Sequence, residues 1–318
     1  MPAQRLSESF LAGPYLDRRS EQREHPQWHE EARRDPTTRF VLARGTAQLI
    51  VTAPRPRVAF LDASHPLVDE ADPRSMLLLG WYHDARCVLV DTSTAQDPAA
   101  TERLLPSGTR FEELRPLAPL LDADEAGLLA YARAMSWWRG RHRYCSACGA
   151  PAEPHRAGHV MRCANPTCGI EVFPRIDPAI IVLVTDGERA LLGRQASWPP
   201  GRYSTIAGFV EPGESLEDAV AREVAEETGV RVLAAHYHSS QPWPFPSSLM
   251  LGFMAEAATG AIACADAELE DARWFSREQI ARGEALLPPH TSISHRLIAH
   301  WFDAGWPQPL ATLGQPGW

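Results

Sequence analysis

The chain has 318 residues, 44% of them hydrophobic, and a formal net charge of −9. That length favours two domains over one. No apolar run is long enough to span a membrane, and the acidic balance argues against a strong nonspecific nucleic-acid binder.

The opening stretch, MPAQRLSESFLAGPYL, lacks the charged-then-apolar order of a secretory signal, so a cytoplasmic protein is expected. Residues from about Asp17 to Thr38 are rich in Arg, Glu and Pro and read as a polar, mobile or surface segment. Strand-like runs follow: FVLARGTAQLIV, RVAFLD and MLLLGWYHDARCVLVDT, the last turning at His83-Asp84-Ala85-Arg86. The stretch from Ser93 to Thr109 reads as a loop, and Glu125 to Arg139 has helical periodicity. No internal sequence repeat is visible. Further on, Ala179–Val184 and Ala190–Arg194 flank a hairpin signal at Asp186-Gly187. Tyr203 to Val210, Val230 to His238 and Leu249 to Ala255 supply more strands. The division predicted is a β-rich domain at 1–140, a metal ribbon at 141–172 and an α/β domain at 173–318.

Between the two domains lie Cys145, Cys148, Cys163 and Cys168. Two paired thiolates on turns can close a tetrahedral zinc site with no open position, so one structural Zn²⁺ is expected. Disulfides are the competing reading, disfavoured in a reducing compartment. Cys87 and Cys264 lie in apolar, strand-like runs and read as buried, inert thiols.

Ser215 and Asp218 have capping-box spacing, and Gly229 ends the helix between them. Leu216, Ala219, Val220 and Val224 form its apolar stripe. Glu223, Glu226 and Glu227 are spaced i, i+3 and i+4 and share a face. Three carboxylates so close suit Mg²⁺ or Mn²⁺ together with substrate phosphate. The plainer reading is a solvated acidic face with Arg222 in ordinary ion pairs. Downstream, Trp243 and Phe245 alternate with three prolines. That is a stiff loop whose rings can either stack on a base or nicotinamide or cap the core.

Gly208, Glu214, Arg222-Glu223-Val224-Ala225-Glu226-Glu227 and Gly229 together resemble the box of the Nudix hydrolases, which cleave diphosphates linked to a nucleoside. The segment SQPWPFP resembles the marker of the NADH pyrophosphatase branch, which includes enzymes that remove an NAD cap from RNA. The resemblance implies a Nudix α/β/α sandwich with a mixed sheet, preceded by a β-rich domain and a zinc ribbon. It implies cleavage of NADH or NAD⁺ into AMP and nicotinamide mononucleotide by a homodimer using two or three Mg²⁺ or Mn²⁺ ions.

By the same resemblance, Glu223, Glu227, Glu268 and the carbonyl of Ala207 bind those ions. Glu227 is the most critical side chain, Glu226 is a ligand or base, and Glu214 and Arg222 buttress the loop. The general base is left open. Substrate contacts fall on Gln241, Pro242, Trp243, Pro244, Phe245, Pro246, Ser247 and Ser248, with Ser294 and Arg115. Phe173 and Phe209 are stacking candidates. The gap of four residues before Cys168 departs from the more frequent two. Two alternatives remain: a Nudix hydrolase preferring ADP-ribose or another dinucleotide, and a zinc-ribbon RNA-binding protein with a retired catalytic domain.

Overall fold

The computed structural model describes residues 9–13, 15–93, 97–258, 261–264 and 268–314. Two compact units emerge. One comprises Leu11–Ile176 with Trp243–Ser247; the other comprises Asp177–Pro242 and Ser248 onward, with residues 9–10.

The first unit carries β1 (Leu16–Asp17), α1 (Trp28–Arg34), β2 (Arg39–Arg44), β3 (Ala47–Val51), β4 (Arg57–Val58), β5 (Phe60–Leu61) and α2 (Pro66–Asp69). It continues through β6 (Met76–Tyr82), β7 (Ala85–Asp91), α3 (Pro98–Arg103), β8 (Thr109–Glu113), α4 (Leu114–Leu117) and α5 (Ala123–Arg141). Its sheet runs β1-β6-β7-β2-β3-β4, with β5 also on β2 and β8 on β3. Phe40, Leu42, Leu49, Leu78, Val88 and Val90 fill its core. The β6–β7 turn is tighter than expected: only His83 and Asp84 take left-handed angles, and Ala85 and Arg86 already belong to β7.

Two expectations need correction here. The polar stretch from Asp17 to Thr38 is ordered around α1. Trp28 and Ala32, one helical turn apart, both pack on the core, and Arg33 donates to the carbonyls of Val68 and Ala71. A short amphipathic helix hidden among charges leaves a weak periodic signal. The Ser93–Thr109 stretch likewise contains α3, which starts at Asp97; that carboxylate accepts from the N–H groups of Ala99 and Ala100.

The ribbon strands β9 (Ala152–His155), β10 (Val160–Cys163) and β11 (Glu171–Val172) form a small antiparallel sheet. The second unit then carries β12 (Asp177–Thr185), β13 (Arg189–Arg194), β14 (Ile206–Phe209), α6 (Leu216–Thr228), β15 (Val232–Trp243), β16 (Ser248–Ala257), β17 (Asp271–Ser276), α7 (Arg277–Ala281) and α8 (Ile293–Asp303). Its sheet runs β15-β16-β12-β13-β17, with β14 on β12. β12 is parallel to β16 and antiparallel to β13 and β14.

Alternation along β12 makes this sheet the middle of a sandwich. Ile180, Val182 and Val184 pack with Ala219, Val220 and Val224 of α6. Ile181 and Leu183 pack with Leu297, Ile298 and Phe302 of α8. The sandwich is therefore α/β/α with a mixed sheet, as expected.

The first sheet follows the same strand plan. Its path β6-β7-β2-β3-β8, with β5 on β2 and a parallel β2–β7 pair, matches β15-β16-β12-β13-β17 with β14 on β12 and a parallel β12–β16 pair. The counterpart of α6 is α2, one turn long. A repeat that keeps only pairing order leaves no residue identities to read, which is why none was visible in the sequence.

Candidate active site and zinc ribbon

The loop after β14 carries Glu214, and the second half of α6 carries Glu223, Glu226 and Glu227. Ser215 accepts from the Asp218 N–H while the Asp218 side chain answers the N-cap, completing the expected capping box. Gly229 closes the helix with φ 69°. The stripe Ala219, Val220, Val224 is buried, and it turns the flank bearing Glu223 and Glu227 inward. Glu223 and Glu227 are 9% and 3% exposed, whereas Glu226 lies in solvent.

Arg222 organises this flank. Its Nε and Nη2 donate to both oxygens of Glu214, at 2.6 and 2.9 Å, and Nη2 also donates to the Phe209 carbonyl at 2.9 Å. Nη1 reaches Glu223 at 2.9 Å and Glu226 at 3.0 Å. The Glu211 N–H adds a bond to Glu214 at 2.9 Å. The loop is thus clipped to the helix by one guanidinium. Arg222 holds the Glu214 carboxyl down at about 2, with the Glu211 N–H helping. Glu223 goes the other way: burial raises its pKa, Arg222 opposes this, and the negative charges of Glu226 and Glu268 add to the rise. Glu268, outside any strand, is thereby placed within electrostatic reach of Glu223.

Gly208 explains itself physically. A Cβ built there would sit 1.9 Å from Cδ of Glu223 and 2.1 and 2.3 Å from its oxygens. The backbone of β14 approaches the carboxylate so closely that no side chain fits between them. Ala207, the neighbouring residue, pairs with Ile181 in the sheet. Next along the strand, the Phe209 ring is 60% exposed, so it does not belong to the core.

The proline-rich segment is less open than a loop reading suggests. Gln241, Pro242 and Trp243 end β15, residues 244–247 form a tight turn, and Ser248 starts β16. Trp243 and Phe245 meet edge to face, ring centroids 5.2 Å apart at 79°. Pro246 is exposed, while Pro244 and Ser248 are buried.

Two predicted contact residues have side chains engaged inside the second unit. The Gln241 amide donates to the carbonyls of Phe10 and Thr291, at 3.1 and 2.8 Å, and accepts from the Ile293 N–H at 2.8 Å. The Ser294 hydroxyl meets Ser204 Oγ at 2.9 Å and accepts from the Thr205 N–H and hydroxyl, at 3.2 and 2.8 Å. This use of polar side chains as bolts is invisible to spacing. Arg115, on α4, stands 5.9 Å from the Trp243 centroid. Phe173, in the first unit, is 43% exposed.

The cysteines converge. Cys145 Sγ lies 3.7 Å from Cys168, Cys148 lies 3.4 Å from Cys163, and all four sulfurs are within 4.8 Å of one another. Tetrahedral zinc with Zn–S near 2.3 Å needs sulfurs about 3.8 Å apart. Gly149 and Gly169 take φ 73° and 58°, forming the two knuckles. Backbone N–H groups of Ala147 and Cys148 aim at the Cys145 sulfur and bring its pKa down to about 7. The longer Asn165-Pro166 knuckle still closes, with the Asn165 side chain accepting from the Thr167 N–H. Among the described residues this is the one group of three or more potential ligands gathered so tightly; the helix carboxylates are spaced along Arg222 instead. Cys87 is fully buried, its thiol pushed up to about 12, as expected. Cys264 departs from expectation: it is exposed and outside any strand, because β16 ends at Ala257.

The class follows from these parts. Residues 175–302 match the NUDIX domain, residues 37–138 the NADH pyrophosphatase-like rudimentary NUDIX domain, and residues 141–173 the NADH pyrophosphatase zinc ribbon domain. Human NAD-capped RNA hydrolase NUDT12 is 33% identical over 338 residues, covering 92% of this chain and 73% of that protein. NAD-capped RNA hydrolase NudC of Stutzerimonas stutzeri is 44% identical over 205 residues, covering 64% of this chain and 72% of its own. A Nudix hydrolase crystal structure from Nitrosomonas europaea has a TM-score of 0.43 at 21% identity, covering 55% of this chain and 96% of that one. The chain belongs to the Nudix hydrolase family, in the branch that carries an NADH pyrophosphatase-type zinc ribbon.

Proposed function

We propose that this protein hydrolyses the diphosphate bond of NADH and NAD⁺ to AMP and nicotinamide mononucleotide, and that it also removes NAD caps from RNA. The observation that carries the reading is the Glu223 carboxylate seated against the bare backbone of Gly208, with buried Glu227 one turn further along the same helix. An acidic face meant only for solvent would not bury two of its carboxylates.

The donor set is hard oxygen throughout and suits Mg²⁺ or Mn²⁺. Glu223, Glu226, Glu227 and Glu268, with the Ala207 carbonyl, would hold the ions. When bound, these supply charge neutralisation at the diphosphate and an activated water. Arg222 opposes the effect of burial on Glu223, and it fixes the loop by holding Glu214 and the Phe209 carbonyl. Phe209, Trp243 and Phe245 offer ring faces for a base or nicotinamide. Pro242, Pro244 and Pro246 stiffen the turn, and Ser247 and Ser248 flank it. For Gln241 and Ser294 the side chains brace the structure around the site.

The four thiolates hold one structural Zn²⁺, which suits a reducing cytoplasm. Domain limits of 1–140, 141–172 and 173–318, a homodimer, and Phe173 and Arg115 as substrate contacts complete the reading. The relatives named as NAD-capped RNA hydrolases support the substrate class. A panel of NADH, NAD⁺, ADP-ribose and NAD-capped RNA with Mg²⁺ or Mn²⁺ tests it. The highest kcat/KM is expected for NADH or the NAD-capped RNA. Equal or faster turnover of ADP-ribose would overturn the assignment.

A further inference from the structure

The turn at Trp243–Ser247 belongs to the first compact unit, and so do the two arginines that face its rings. Arg115 lies over Trp243, and Cζ of Arg133, on α5, lies 4.9 Å from the Phe245 centroid. Arg133 is only 9% exposed. Its Nη1 donates to the Pro244 carbonyl, and its Nη2 reaches Glu113 at 3.4 Å. Its Nε is buried with no hydrogen-bond partner.

Burying a guanidinium against one long ion pair is costly, and an apolar side chain of similar volume would pack as well. What the guanidinium adds is directional: a donor that pins the Pro244 carbonyl and a flat cation that fixes the face of Phe245. Trp243 packs edge to face on Phe245, so orienting one ring restrains the other.

We propose that Arg133 is a positioning residue that sets the orientation of the Phe245 and Trp243 rings and thereby the affinity for the dinucleotide. This rests on the diphosphatase reading above.

The experiment is steady-state hydrolysis of NADH by the full chain and by Arg133→Met, Arg133→Lys, Phe245→Leu and the Arg133→Met/Phe245→Leu double variant, with melting temperatures alongside. For Arg133→Met, KM rises about five- to tenfold while kcat stays within about twofold, the scale of a lost cation–π contact and hydrogen bond. Arg133→Lys keeps the charge but loses the planar fork, so its KM falls between the two. The double variant is no worse than Phe245→Leu, because Arg133 acts through that ring. Unchanged KM in Arg133→Met would overturn the inference, as would losses in Tm and kcat at constant KM, or additive effects in the double variant. If Arg133→Met does not fold, a wild-type KM in Arg133→Lys overturns it equally. Wild-type protein that fails to cleave NADH would take down the underlying reading as well, and that is seen before any variant is measured.

Discussion

Replacing Gly208 with alanine isolates the geometry of the acidic site from the stability of the fold. The backbone at Gly208 is ordinary β-strand, paired with Ile180, so alanine meets no backbone strain there. The conflict is with one side chain: the new Cβ would lie 1.9 Å from Cδ of Glu223. Ordinary contact begins near 3.4 Å, so the carboxylate has to retreat by ~1.5 Å. Glu223 is the far end of a flexible side chain, and the retreat costs about 1 kcal/mol or less of stability. A misplacement of about 1 Å at a reacting centre costs on the order of 10²-fold in rate. Gly208→Ala is therefore expected to lower kcat/KM for NADH about 100-fold, while Tm falls by only a few degrees. The assay is initial-rate hydrolysis with product separation, beside a thermal melt. Near wild-type turnover would refute the reasoning, because Glu223 would then not need its place against the strand. Loss of activity together with loss of folding would refute it too.

Other consequences follow from particular contacts. The Glu214 carboxyl is held low, at about 2, against an ordinary value near 4.5, so its bond to Arg222 stabilises the fold fully above about pH 4.5 and is lost as pH falls toward 2. The Tm gap between wild type and Glu214→Gln should be constant from pH 5 to 8 and close in acid; a gap that grows in acid would contradict the sign. Gln241→Leu strands one buried and two partly buried backbone groups and should cost about 1–3 kcal/mol in a denaturant melt, with little change in KM. A large rise in KM at unchanged stability would instead make the amide a substrate ligand. Metal analysis should find one zinc per chain, released by a chelator, and Cys163→Ser should lose it; retention of zinc in that variant would remove Cys163 from the site.

Some of this architecture was legible in the residues and some was not, for physical reasons. The caps of α6, the loop glycines and the four cysteines act through local geometry, and spacing reports local geometry faithfully. The burial of Glu223 and Glu227 could not be read, because on spacing alone the helix face is equally a solvated one. The helix at Trp28–Arg34 was hidden because two apolar residues among charges are below any periodic threshold. The strand plan shared by the two sheets survives only in pairing order, and pairing joins segments far apart in sequence. Gln241, Ser294 and Arg133 show the same limit: their partners lie 50 or more residues away in most cases, and a polar side chain gives no hint of which distant carbonyl it will hold. Cys264 was misread because its apolar neighbours suggested a strand that ends earlier.

The claim on which the rest depends is that the buried carboxylates of α6 serve diphosphate cleavage. The most direct measurement is kcat for NADH, with AMP and reduced nicotinamide mononucleotide quantified, in wild type and Glu227→Gln at saturating Mg²⁺ or Mn²⁺. Stoichiometric formation of the two products is expected from wild type, with a loss on the order of 10²- to 10⁴-fold in the variant at unchanged fold. A folded Glu227→Gln protein that turns over NADH at the wild-type rate would contradict it.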